Sequence, residues 1–139
     1  MKKLFPLILL YIFFISGCQF ALEHDDSILL FGEKPLTKET ILKGMIQNTF
    51  KEGQLVHYGF YSKEPFKTTG GRVQILKKDQ KTDVYGFSIE QSFDIHLNPD
   101  KNYYTNSFTI YSEGLYFMRI FTKNSPNSPI AQKSFWIIK

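Results

Sequence analysis

The chain has 139 residues, with 17 Lys and Arg against 13 Asp and Glu, one cysteine and a formal net charge of +4. That length suits one domain, with or without a tail, and excludes a large multidomain enzyme. A hydrophobic fraction of 42% with 17% aromatics excludes a disordered chain, and a single thiol excludes both a disulfide framework and a multi-thiolate zinc site.

The N-terminus opens on Lys2 and Lys3, continues with an apolar run from Leu4 to Ile15, and closes on Ser16 and Gly17. This is the layout of a secretory signal. The run falls short of the roughly 20 residues that a membrane-spanning helix needs. Ile15-Ser16-Gly17-Cys18 resembles a bacterial lipobox, with an aliphatic residue and two small residues before a cysteine. The resemblance implies a lipoprotein signal peptide over residues 1–17 and lipidation of Cys18, which becomes the acylated N-terminus. Palmitate-type chains then moor the protein to a membrane without a span, since each buried CH₂ contributes about 0.8 kcal/mol and two chains suffice for stable anchoring. Gln19, standing where an Asp would favour inner-membrane retention, points to the outer membrane of a bacterial cell envelope. Loss of Lys2 and Lys3 with the leader lowers the net charge to +2, and no basic run exceeds Lys77-Lys78. Nucleic acid is therefore not an expected partner.

Residues 18–27 read as the lipidated cysteine and a short polar tether, and residues 28–139 as the folded domain. Ile28 to Phe31, ended by Gly32, suits a first strand. Pro35 to Phe50 is ambiguous. Ile41, Leu42, Met45 and Ile46 recur at helical spacing after a possible cap at Thr37, whereas Gly44 and the β-branched residues favour a strand. The preferred reading is a short helix or turn, then a strand near 46–50. From Gln54 onwards β patterning dominates. Val56, Tyr58 and Phe60 alternate on one face. Thr69-Gly70-Gly71 reads as a break, and Val73 and Ile75 share the next face. The polar turn Lys78–Lys81 leads to a run from Val84 to Ile89, and Phe93, Ile95 and Leu97 form another. Asn98–Asn102 is strong turn chemistry. Runs at 103–111, 114–122 and 130–138 complete about seven strands, the pattern of an antiparallel sandwich or barrel.

Glu113-Gly114-Leu115-Tyr116-Phe117-Met118 resembles the penultimate strand of immunoglobulin-like β-sandwich domains. The resemblance implies a tyrosine corner, in which the Tyr116 hydroxyl bonds back to upstream backbone, and a core position at Met118 where antibody domains carry their second cysteine. The stretch from about 46 to 139 is also similar to domains in lipoproteins of spirochaete type.

Catalytic chemistry has little to stand on. His24 lies in the tether and His57 faces away from Val56 and Phe60. Asp94 and His96 share a strand face and could ligate a metal or act as an acid–base pair, but no third ligand is marked. A hydrolase of envelope polymers rests on that pair alone. No nucleophile elbow, phosphate-cradling glycine loop or zinc-binding helix motif occurs, and no metal or cofactor is expected. Tyr103, Tyr104 and Tyr111 would suit stacking on sugars, although tyrosine is also an ordinary sandwich residue.

Excess apolar surface is more informative. Tyr116, Met118 and Ile120 face one way, while Leu115, Phe117 and Phe121 face the other. Trp136 and Ile138 repeat the second face on the last strand. A sandwich buries one face per sheet, so Leu115, Phe117, Phe121 and Trp136 form a candidate contact face for a protein partner, unless residues 28–50 cover them. The function expected is a non-catalytic binding or assembly module, membrane-held through Cys18. A narrower alternative is an accessory lipoprotein of an envelope secretion or outer-membrane assembly machine.

Overall fold

A computed structural model describes residues 27–44, 47–78 and 86–139. The signal sequence, Cys18, all of the tether but Ser27, and Met45 and Ile46 lie outside the described residues.

Among the described residues, eight strands and one short helix follow in order: β1 (Ser27–Gly32), α1 (Lys38–Leu42), β2 (Thr49–Lys51), β3 (Leu55–Ser62), β4 (Gly70–Lys78), β5 (Phe87–His96), β6 (Tyr103–Thr109), β7 (Gly114–Thr122) and β8 (Ala131–Ile138). They form a three-stranded sheet in the order β1-β3-β6 and a five-stranded sheet in the order β2-β8-β7-β4-β5. The fold is all-β, an immunoglobulin-like sandwich. The antiparallel expectation needs one correction, because β2 pairs with β8 in parallel, Phe50 opposite Ile137. The strand docks on the edge of β8 that β7 leaves free, and the Trp136 amide donates to the Asn48 carbonyl at 2.7 Å where it begins.

Eight strands among the described residues agree with the expected number of about seven, but their bounds differ. Two runs expected as separate strands contribute to one ten-residue strand, β5: Phe87–Ile89 of the first and Phe93–His96 of the second, while Val84, Tyr85 and the expected turn beyond Lys78 lie outside the described residues. A register shift keeps β5 paired. Ile75 faces Gln91, while Leu76 faces Ile89, so Glu90 is the extra residue of a bulge. Gly70 and Gly71, expected as a break, open β4 instead. A Cβ on Gly71 would stand 2.7 Å from the Phe121 carbonyl oxygen, so this close backbone approach requires glycine.

The core lies where the alternation placed it. Val56, Tyr58 and Phe60 of β3 are wholly buried against Val73, Ile75, Tyr116, Met118, Ile120 and Phe135 of the opposite sheet. Phe31 links the layers, its ring 4.9 Å from Phe135 and 6.5 Å from Phe50. The Tyr58 hydroxyl is an awkward group here: it is buried without a hydrogen-bond partner among the described residues. Burial, with Tyr104 beside it, raises its pKa far above the ordinary phenol value.

Thr37 caps α1, as its position suggested. Its side chain accepts from the Thr40 amide, while the Thr40 hydroxyl accepts from the Thr37 amide. The helix lies on the outer face of the three-stranded sheet. Ile41 is fully buried there with Leu30, and the missing side chain of Gly59 makes room, because a Cβ at that position would meet Ile41 Cδ1 at 2.6 Å. α1 therefore covers the sheet opposite the one that carries the candidate contact face, while β2 extends the latter sheet at its β8 edge.

Candidate contact face and neighbouring cavity

Each outward residue of the five-stranded sheet is placed by strand register. Leu115 stands opposite Trp136 across β7 and β8, and Phe117 stands opposite Leu76 across β7 and β4. Ile89 stands opposite Leu76 across β4 and β5, and the Phe87 ring packs edge-on against Phe117 at 5.1 Å. Ile138 lies two residues beyond Trp136 on the same face. These side chains form a contiguous apolar surface on which Phe87 is 43% exposed, Ile89 61%, Trp136 49% and Ile138 46%. No α1 residue packs over it; the helix contacts β1 and β3.

Leu115, Phe117 and Trp136 thus come together, and Phe121 does not join them. It lies four residues beyond Phe117, about 13 Å along a strand, and Arg119 stands between. The Arg119 guanidinium lies over the Phe121 ring at 5.5 Å and donates to Gln74 Oε1 at 2.9 Å. Its Nε is buried without a partner among the described residues. A polar bar of Arg119 and Gln74 divides the sheet face into an apolar end and a charged end.

Leu76, Phe87 and Ile89 also lie on this apolar surface and were not among the residues expected there. The adjacent pair Ile75-Leu76 carried a usable signal, since two successive apolar residues in one strand cannot both face inward. Phe87 and Ile89 also alternate, but only pairing with β4 shows which face they occupy.

Asp94 and His96 lie at the charged end. Asp94 accepts from Arg72 Nε at 2.9 Å across β4 and β5. That hydrogen bond first, and the carboxylate charge second, raise the pKa of Arg72. His96 is exposed, whereas His57 is half-buried on the outer face of the other sheet. Among the described residues no group of three His, Cys, Asp or Glu side chains converges as metal ligands, and no helix is long and apolar enough to cross a membrane.

The charged end also bounds a cavity of about 540 Å³ lined by Arg72, Gln74, Asp94, His96, Phe121 and Lys123. It lies at the end of the sandwich where Ser27 enters. There the Ser27 hydroxyl bonds the Ile130 carbonyl, and Ser62 pairs with Ser27. The apolar surface lies towards the other end, where Gly114 pairs with Ile137.

No protein-family model matches the chain, and no curated protein matches it in sequence. Among solved structures, it is similar to the soluble domain of PmoD from Methylocystis sp. ATCC 49242, with 13% identity and a TM-score of 0.48 over 80% of this chain and 97% of that one. An immunoglobulin-like protein (PA1606) from Pseudomonas aeruginosa matches with 14% identity and a TM-score of 0.45 over 79% and 91%. A superoxide reductase (neelaredoxin) from Ignicoccus hospitalis matches with 7% identity and a TM-score of 0.42 over 81% and 83%. At these identities the activity of none of these proteins transfers to this chain.

Proposed function

We propose that this protein is an envelope lipoprotein, anchored through Cys18, whose sandwich serves as a non-catalytic module for binding or assembling a protein partner. The observation that carries this reading is the apolar surface of Leu76, Phe87, Ile89, Leu115, Phe117, Trp136 and Ile138. Four of its seven members are more than two-fifths exposed. Surfaces of this kind, rich in aromatic residues, serve as association sites. Its position supports the same reading: the chain enters the sandwich at Ser27, and the apolar end lies away from that entry. An anchor ahead of Ser27 would keep a membrane-bound partner at high local concentration, so modest affinity would suffice.

The test is crosslinking in cells that express the full chain. Phe117→Asp and Trp136→Asp should each abolish crosslinked products while leaving the β-type circular dichroism and the unfolding midpoint of the purified protein unchanged. Products that persist in both folded variants would refute the contact face.

A further inference from the structure

A cavity lies at the other end of the same sheet, apart from the apolar surface. In the cavity beside β4 and β5 the Lys123 stem rests on Gly70. Gly70 presents no side chain, and a Cβ there would stand 2.5 Å from Lys123 Cε and 3.0 Å from Lys123 Cδ. The glycine thereby lets the lysine stem lie across the strand. The turn carrying Lys123 is fixed in turn, since its amide donates to the Gly70 carbonyl at 3.0 Å.

The polar groups in the lining retain unused capacity. Asp94 engages only Nε of Arg72, and the two terminal guanidinium nitrogens have no partner among the described residues. Gln74 spends its carbonyl on Arg119 and keeps both amide hydrogens. Lys123 Nζ has no hydrogen-bond or ion-pair partner among the described residues. Phe121 supplies an aromatic surface.

Two cations, Arg72 and Lys123, stand against one carboxylate, Asp94. Amide, guanidinium and carboxylate groups suit a ligand bearing many hydroxyls, and the phenyl ring suits an apolar ring face. The volume falls within the range of small-ligand sites, roughly 300–1,000 Å³. We infer that this cavity binds an acidic sugar residue, its carboxylate held by Lys123 and Arg72, its hydroxyls by Gln74 and Asp94, and its ring against Phe121. This site would operate whether or not the apolar surface engages a protein.

The experiment is a ¹H–¹⁵N NMR titration of the full chain in detergent, with trigalacturonate as probe and maltotriose and inorganic phosphate as controls. Trigalacturonate should shift the amides of Gly70, Gly71, His96 and Lys123. Arg72→Gln, Lys123→Gln and Phe121→Ala should each weaken its binding by about fivefold to tenfold, the range expected for one charge-assisted hydrogen bond or one ring contact. Trp136→Asp should leave it unchanged, which separates this site from the contact face. Absence of shifts at these amides would overturn the site. Equal binding of maltotriose would overturn the role of the carboxylate, and equal binding of phosphate would overturn that of the ring.

Discussion

The Tyr116 hydroxyl donates to the Ser112 carbonyl oxygen at 2.8 Å across the turn that leads into β7. Because that bond uses the only phenolic hydrogen, the second contact at 2.8 Å runs from Ser112 Oγ to the Tyr116 oxygen. Lys77 Nζ donates to Ser112 Oγ at 3.0 Å and lies over the Tyr116 ring. The corner therefore ties β4, the turn and β7 together. Gly114, at φ +149°, occupies a backbone region that other residues rarely adopt.

Tyr116→Phe removes the donor and leaves the Ser112 carbonyl without its side-chain partner. The expected cost is about 1–3 kcal/mol, read from urea unfolding at constant m-value. Ser112→Ala keeps the carbonyl bond and should cost less. An equal loss in both variants would show that the corner acts through Ser112 Oγ alone.

Tyr58→Phe makes the opposite case. The hydroxyl is buried without a partner among the described residues, so its removal deletes a desolvation penalty. Stability should rise, by no more than about 1–3 kcal/mol. A loss of stability in thermal unfolding would mean that Tyr104 or Asn106 pairs with this hydroxyl in solution.

Gly59→Ala should destabilise the chain by about 1–3 kcal/mol, because the new methyl group overlaps Ile41 Cδ1. Ile41→Val removes that carbon. Combined with Gly59→Ala, it should lose less than the sum of the single changes. Strict additivity in a double-mutant cycle would show that α1 does not rest on β3.

Lys133 stands opposite Met118 and is half-buried on β8, where burial lowers its pKa below the usual lysine value of 10.5. In the interval between the lowered folded value and the unfolded one, the unfolded chain holds more protons, so stability rises with pH across it. Below that interval the charged amine opposes folding. Lys133→Met should therefore raise stability near neutral pH and flatten the alkaline rise, both measurable by urea unfolding at a series of pH values.

Lipidation of Cys18 has its own test. Metabolic labelling with a fatty-acid analogue should mark the wild-type protein and not Cys18→Ala. Equal labelling of both, or an unmodified mature protein free in the medium, would refute the anchor.

Much of the fold follows from local chemistry. Thr37 capped a helix because its side chain can answer a neighbouring amide. Val56, Tyr58 and Phe60 faced the core because side chains alternate along a strand. Tyr116 reached Ser112 because a corner of this kind closes over four residues. These relations span few residues, and side-chain type alone constrains them.

Relations between distant segments were not legible. The bulge at Glu90 merges two apparent runs into β5, and it depends on pairing with β4. The choice of face for α1 depends on Gly59, and the close approach that requires Gly71 exists only once β4 lies beside β7. The candidate face shows the same division. Alternation pointed Leu115, Phe117, Phe121 and Trp136 outward, but only strand register set Phe121 apart and brought Leu76, Phe87 and Ile89 to the other three. Periodicity states which residues share a face of one strand. Which strands lie side by side is decided by packing between segments far apart in the chain, and no local pattern carries that information.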